Sequence, residues 1–141
     1  MPGIRTRIRA ELKARLAGLP GATSNPITST AEMVSEDELP IAVVWLRRDI
    51  EGDASTSDST HHDIEIEIVL IGKKSGDTEA IDILETMAEE VEARMVVKFE
   101  QREFAWSSTS FEDQQEGKQP YPTATLAYIY SFTAPPGLSP E

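Results

Sequence analysis

The sequence predicts an α+β domain: a mainly antiparallel sheet of about four strands with helices packed on one face, in the order α-β-β-α-β-β. Three observations carry this. The segment Asp63–Ile68 alternates strictly between acidic and apolar residues, which marks a half-buried antiparallel strand continuing to Ile71. Two segments, 4–16 and 77–95, repeat apolar residues at helical spacing. With the remaining strand-like stretches the order becomes α-β-β-α-β-β, for which a mainly antiparallel sheet with helices on one face is the simplest solution.

Taken in order, Ile4, Ile8, Leu12 and Leu16 form a narrow apolar stripe, and Gly18 and Pro20 stop the helix. A narrow stripe predicts a helix lying on a surface. Residues 21–38 read as a loop. The segment Leu39–Leu46 is apolar on both faces and predicts a strand covered on both sides, ended by Arg47 and Arg48. Residues 49–61 read as a long polar loop. A strand from His62 to Ile71 follows, with Ile64, Ile66, Ile68 and Leu70 on one side and Asp63, Glu65 and Glu67 on the other.

The helix 77–95 is expected to bury Ile81, Leu84, Ala88, Val91 and Met95, a face widened by Ile83 and Met87, and to turn Glu79, Asp82, Glu85, Glu89 and Glu92 outward. Val96–Phe104 reads as a weakly alternating strand, and 107–120 as a second polar loop. The last strand runs from Thr123 to Phe132. Both long polar loops are expected to be mobile in the free chain and to become ordered on contact. Residues 1–133 are thus expected to form one domain, and the Pro-rich stretch 134–141 a disordered tail.

The charge balance is polarised. The chain has 13 bases against 25 acids, a net charge of −12. Residues 1–19 hold five bases against one acid, a balance of +4, while the remaining residues hold eight against 24, or −16. Such acidity argues against a tight nucleic-acid binder, which needs clustered Lys and Arg. A cationic helix on an acidic body suits contact with acidic neighbours, copies of the same chain included, or a solvated helix face. The Arg-rich start also fits a transit peptide or a membrane-surface helix, but it is absorbed well by the fold. No apolar run approaches the roughly 20 residues of a membrane span. The chain has no cysteine, so disulfides, thiolate metal sites and cysteine nucleophiles are absent.

Chemistry-bearing motifs are few. His61, His62 and Asp63 form the one histidine cluster, and they suggest a remote alternative, a small metal-dependent enzyme. Neighbouring strand residues point to opposite faces, so His61 and His62 are expected to diverge, while His61 and Asp63 share a face. Gly72-Lys73-Lys74-Ser75-Gly76 sits where a phosphate loop would, but position 67 is Glu where the Walker pattern needs glycine. No Gly-x-Ser-x-Gly elbow occurs. Glu65 and Glu67 lack the apolar pocket that would make one of them a general acid. Trp45, Trp106, Tyr121, Tyr128, Tyr130 and Phe132 lack surrounding bases for stacking on nucleic acid and are assigned to packing in the core or at an interface. The expectation is a protein without enzymatic activity and without a cofactor.

The order and texture of these segments resemble the phage tail terminator family, the minor tail protein U of long-tailed phages. The residues that carry the resemblance begin with the helix Ile4–Leu16 and Gly21-Ala22. The acidic lead-in Ser35–Pro40 then enters the strand Ile41–Leu46. Next come the alternating strand Asp63–Ile68, the acidic helix Asp77–Met95, Trp106-Ser107-Ser108 and the terminal strand Thr125–Tyr130. The resemblance covers roughly residues 4–133 and rests on no catalytic fingerprint. The loop 107–120 and the Pro-rich end are longer than the family pattern and inherit nothing from it.

The resemblance implies a homo-oligomeric, hexameric ring in the virion that caps the head-proximal end of the tail tube and ends its polymerisation. Implied partners are other copies of the chain, the tail tube protein and a head-completion or connector protein. DNA would pass through the lumen without tight binding, and no membrane is involved. A head–tail connector or stopper of the virion neck is the alternative. Candidate subunit or partner contacts are Arg5, Arg9, Arg47, Arg48, Asp53, Asp58, Glu65, Glu67, Glu112 and Asp113.

Overall fold

A computed structural model of the chain describes residues 3–28, 38–51, 60–73, 78–112 and 121–134. Their elements are α1 (Ile4–Leu16), β1 (Ile41–Glu51), β2 (Thr60–Ile71), α2 (Thr78–Met95), β3 (Phe104–Glu112) and β4 (Thr123–Ala134), so the expected α-β-β-α-β-β order is the observed one. The four strands form one sheet in the order β1-β2-β4-β3, and every neighbouring pair is antiparallel. β4 therefore inserts between β2 and β3, and β1 and β3 are the two edges.

The period-2 pattern of β2 decides the layering. Ile64, Ile66, Ile68 and Leu70 are all buried, and they sit opposite Tyr130, Tyr128, Leu126 and Ala124 of β4. Both helices lie over this face. α1 buries its stripe Ile4, Ile8, Leu12 and Leu16 there, and α2 adds Leu84, Met87, Ala88, Val91 and Met95 to the same core. Full burial of one such side chain contributes about 1.5–3 kcal/mol, so this one-sided core dominates the stability. Gly18, at φ +71°, ends α1 in a left-handed conformation that suits glycine.

The strand is covered on both sides from Ile41 to Val44, where Ile41 and Val43 are as buried as Ala42 and Val44, but not as far as the sequence predicts: Trp45 is exposed. Part of β1's outer edge is closed by the chain itself. The Ile27 amide donates to the Ala42 carbonyl at 3.0 Å, and the Val44 amide donates to the Ile27 carbonyl at 2.9 Å.

Three sequence boundaries are corrected. β1 does not end at Arg47 and Arg48 but continues to Glu51 across a bulge between Leu46 and Arg48. The third strand is not Val96–Phe104. That stretch turns back on itself through Phe99 and Arg102, which pair in an isolated bridge around Glu100 and Gln101 at φ +49° and +69°. Val96 and Val97 are accordingly exposed. The strand instead occupies Phe104–Glu112, so the first half of the expected loop 107–120 is a sheet edge. Of the loop expected at 49–61, Asp49–Glu51 and Thr60–His61 are strand. The expected mobile stretches 52–59 and 113–120, and the tail beyond Ala134, lie outside the described residues.

Candidate functional site

The face of the sheet opposite the helices carries most of the charged candidates that are described. Regular alternation would send Arg47 and Arg48 to opposite faces. The bulge sets two residues of β1 against one of β2, so both arginines emerge on the same side. There Arg47 Nη1 donates to Glu67 Oε2 at 3.1 Å, and Arg48 Nε donates to Glu65 Oε1 at 2.9 Å. Trp45 and Ile50 flank these pairs and are 38% and 39% exposed. Among the described residues no helix covers this face. Its β1–β2 part is mixed: Trp45 and Ile50 stand on either side of two ion pairs and lie opposite Glu67 and Asp63.

The bulge also turns Asp49 inward. Asp49 lies 3.1 Å from Nδ1 of the buried His62 and 3.8 Å from the Arg5 guanidinium of α1. His62 stacks on Phe132 with ring centroids 5.1 Å apart. On the opposite face His61 meets Asp63 at 2.8 Å, and the Ser131 hydroxyl donates to the same carboxylate. The two histidines thus diverge, and each has its own aspartate. No group of three metal-ligating side chains converges among the described residues. His61, His62 and Asp63 are therefore not assembled into one site here.

Most of the cationic charge of α1 is engaged within the chain. Arg5 and Arg7 occupy the first turn, where the helix dipole disfavours cations, and Asp49 and Glu100 offset them. Arg7 meets Glu100 through two nitrogens, at 2.8 and 3.1 Å. Arg15 reaches the end of α2, donating to the carbonyls of Arg94, Val97 and Lys98. Arg94 returns the contact, donating to the carbonyls of Arg15 and Ala17 at 2.9 Å each. Each arginine satisfies the orphan carbonyls at the other helix's C-terminus, where a cation is also favoured by the dipole.

Of the remaining candidates, Arg9 is half-buried on α1 and Glu112 is exposed at the end of β3, away from the Arg47–Glu67 cluster. Asp53, Asp58 and Asp113 lie outside the described residues. Sequence reasoning missed Asp49, Glu100, Arg15 and Arg94. The i,i+4 spacings Glu11–Arg15 and Glu90–Arg94 were the available signal, since both pairs form.

A second feature lies on the helix side. α2 covers β2 and β4 but leaves β3 partly bare. A groove between α2 and β3 is lined by Glu92, Met95, Val96, Phe104, Trp106 and Tyr128, and continues past Thr109 and Phe111. Trp106 is 58% and Phe111 50% exposed. Burial beside Glu92 pushes the Tyr128 phenol up to about 12. Thr109 links the walls, accepting from Trp106 Nε1 and donating to Glu92.

The ion pairs predict an acid response. Glu65, Glu100 and Asp63 are all held below the usual carboxylate range, mainly by hydrogen bonds from Arg48, Arg7 and Ser131 respectively. A depressed carboxylate stabilises the fold above its unfolded value, and that contribution is lost as pH falls through the folded value. Stability is therefore expected to fall as pH drops below the ordinary values of 4.5 for Glu and 3.8 for Asp. Denaturant melts across this range should show a shallower acid limb for a Glu65→Gln/Glu100→Gln variant. An unchanged limb would remove these pairs from the account.

No protein-family model matches this sequence, and no curated protein matches it either.

Proposed function

We propose that this chain is a non-enzymatic structural subunit of a phage virion. In this reading it forms a hexameric ring that caps the head-proximal end of the tail tube, stops tube polymerisation and offers a surface to the head-joining protein. The observation that carries the reading is the one-sided layering. The helices cover one face of the sheet, and beyond Val44 the described residues leave Trp45 and Ile50 on the other face, and long stretches of both edges, to be met by something else. Open strand edges and partly exposed large side chains such as Trp45 and Ile50 are features of surfaces that associate. The net charge of −12 supports a lumen through which DNA slides without being held. The resemblance in segment order supplies the particular assembly.

Electron microscopy of the protein incubated with purified tail tubes tests the reading. Ring density at one tube end, and retention on tails made without heads, are expected. A protein that ignores tube ends would sink the proposal, and one found only on heads would be a head-side connector.

A further inference from the structure

We propose that copies of this chain join head-to-tail by continuing the sheet: β3 of one copy pairs with the Leu46–Glu51 stretch of β1 of the next, and the neighbour's α1 roofs the groove between α2 and β3. This rests on the self-association in the preceding reading and names its surface.

The strand order is the first argument. Successive antiparallel pairs in the order β1-β2-β4-β3 make β1 and β3 run in opposite directions. Two copies set side by side in the same orientation therefore bring β3 against β1 in the antiparallel sense used everywhere else in the sheet. Among the described residues, β3 pairs only with β4, and β1 beyond Val44 pairs only with β2. Both edges thus offer backbone donors and acceptors. A β3–β1 contact is heterologous, and such a contact generates a ring where its repeated rotation closes and an open filament where it does not.

The helix layer is the second argument. α1 makes its sheet contacts with β1, while the layer has a gap above β3, which leaves Trp106 and Phe111 exposed. Extending the sheet by one copy carries the next α1 towards that gap. The flank of α1 that faces α2 holds Arg7, Glu11 and Arg15, so the opposite flank holds Arg5, Arg9 and Lys13. The wall that α2 presents to the groove holds Glu85, Glu89 and Glu92. A cationic flank meets an acidic wall, with exposed aromatic rings between them. The pairing of Arg5 with Asp49 within its own chain lowers but does not reverse this complementarity. The competing symmetric contact, β3 against β3, would set the same glutamates against each other.

The chain has no cysteine, so placed thiols report the contact cleanly. Ile50→Cys and Ser110→Cys each put one thiol at an exposed position, the first on β1 and the second on β3. A short bismaleimide added to a concentrated mixture of the two single variants is expected to give heterodimers. Each variant alone should give none, and the double variant a ladder ending in a closed species. Glu85→Arg/Glu89→Arg should reduce the yield on the order of tenfold, and adding Arg9→Glu/Lys13→Glu in the same chain should restore it.

Homodimers of Ser110→Cys formed as readily as heterodimers would replace the proposal with a β3–β3 contact. An absent cross-link overturns the proposal whatever the oligomeric state, and the ring reading then stands or falls on the tail-tube experiment. A ladder without a closed species retains this interface and removes the ring.

Discussion

Replacing Arg15 with alanine is expected to lower the unfolding free energy by about 3 kcal/mol. The side chain is 9% exposed and ion-pairs with Glu11 at 2.6 Å. It donates to three backbone carbonyls at and just beyond the end of α2, the shortest at 2.6 Å to Val97, and its guanidinium stands 5.0 Å from the centre of the Phe104 ring. Truncation strands those carbonyls and opens a gap between the two helix ends. At roughly 2–4 °C per kcal/mol for a domain of this size, the melting temperature should fall by about 6–12 °C. Arg15→Lys keeps the charge but loses the fork that reaches several carbonyls at once, so it should recover less than half of the loss. Thermal melts of both variants, with Glu11→Gln as the milder control, check this. An Arg15→Ala variant within about 0.5 kcal/mol of the parent would show that the helix ends hold without it.

Tyr130→Ala is expected to cost about 4 kcal/mol, and Tyr130→Phe about 1 kcal/mol. Tyr130 is fully buried in the second-to-edge strand and lies among Phe99, Phe104 and Phe132, with centroids 5.1–6.3 Å away. Its hydroxyl donates to the Phe99 carbonyl at 2.9 Å, which ties β4 to the Phe99–Arg102 turn. The alanine variant loses the ring and leaves a cavity; the phenylalanine variant loses only the tie. Urea unfolding of the pair separates the two contributions. Equal losses in both variants would mean that the hydroxyl, and not the ring, holds this corner.

What the sequence reveals follows from where a pattern has a single physical cause. β2 is legible because one of its faces is core and the other is not: burial alternates from Ile64 to Leu70, and the sequence follows it except at the apolar Val69. α1 and α2 are legible because their stripes face one surface. β3 is hidden because it is an edge strand: only Phe104 among its residues is buried, and its Ser and Thr residues read as loop. The exposed Val96 and Val97 invite the opposite error, since they resemble strand residues and sit in a turn. The polarised charge is visible in the sequence, but its destinations are not. Arg7 finds Glu100 and Arg15 finds the end of α2 only because the chain returns there about eighty or ninety residues later.

The bulge at Arg47 has a consequence for insertions and deletions in this chain. Strand alternation is a parity, and Arg47 is the surplus member that the bulge absorbs. Excising it would leave Leu46, Arg48, Asp49 and Ile50 on the sides they already occupy, as an uninterrupted ladder, at the loss of one guanidinium beside Glu67. A further residue added beside it would exceed what the bulge absorbs and push Asp49 out of phase, away from His62 and Arg5. The strand therefore tolerates length variation at this point in one direction only, towards the shorter form.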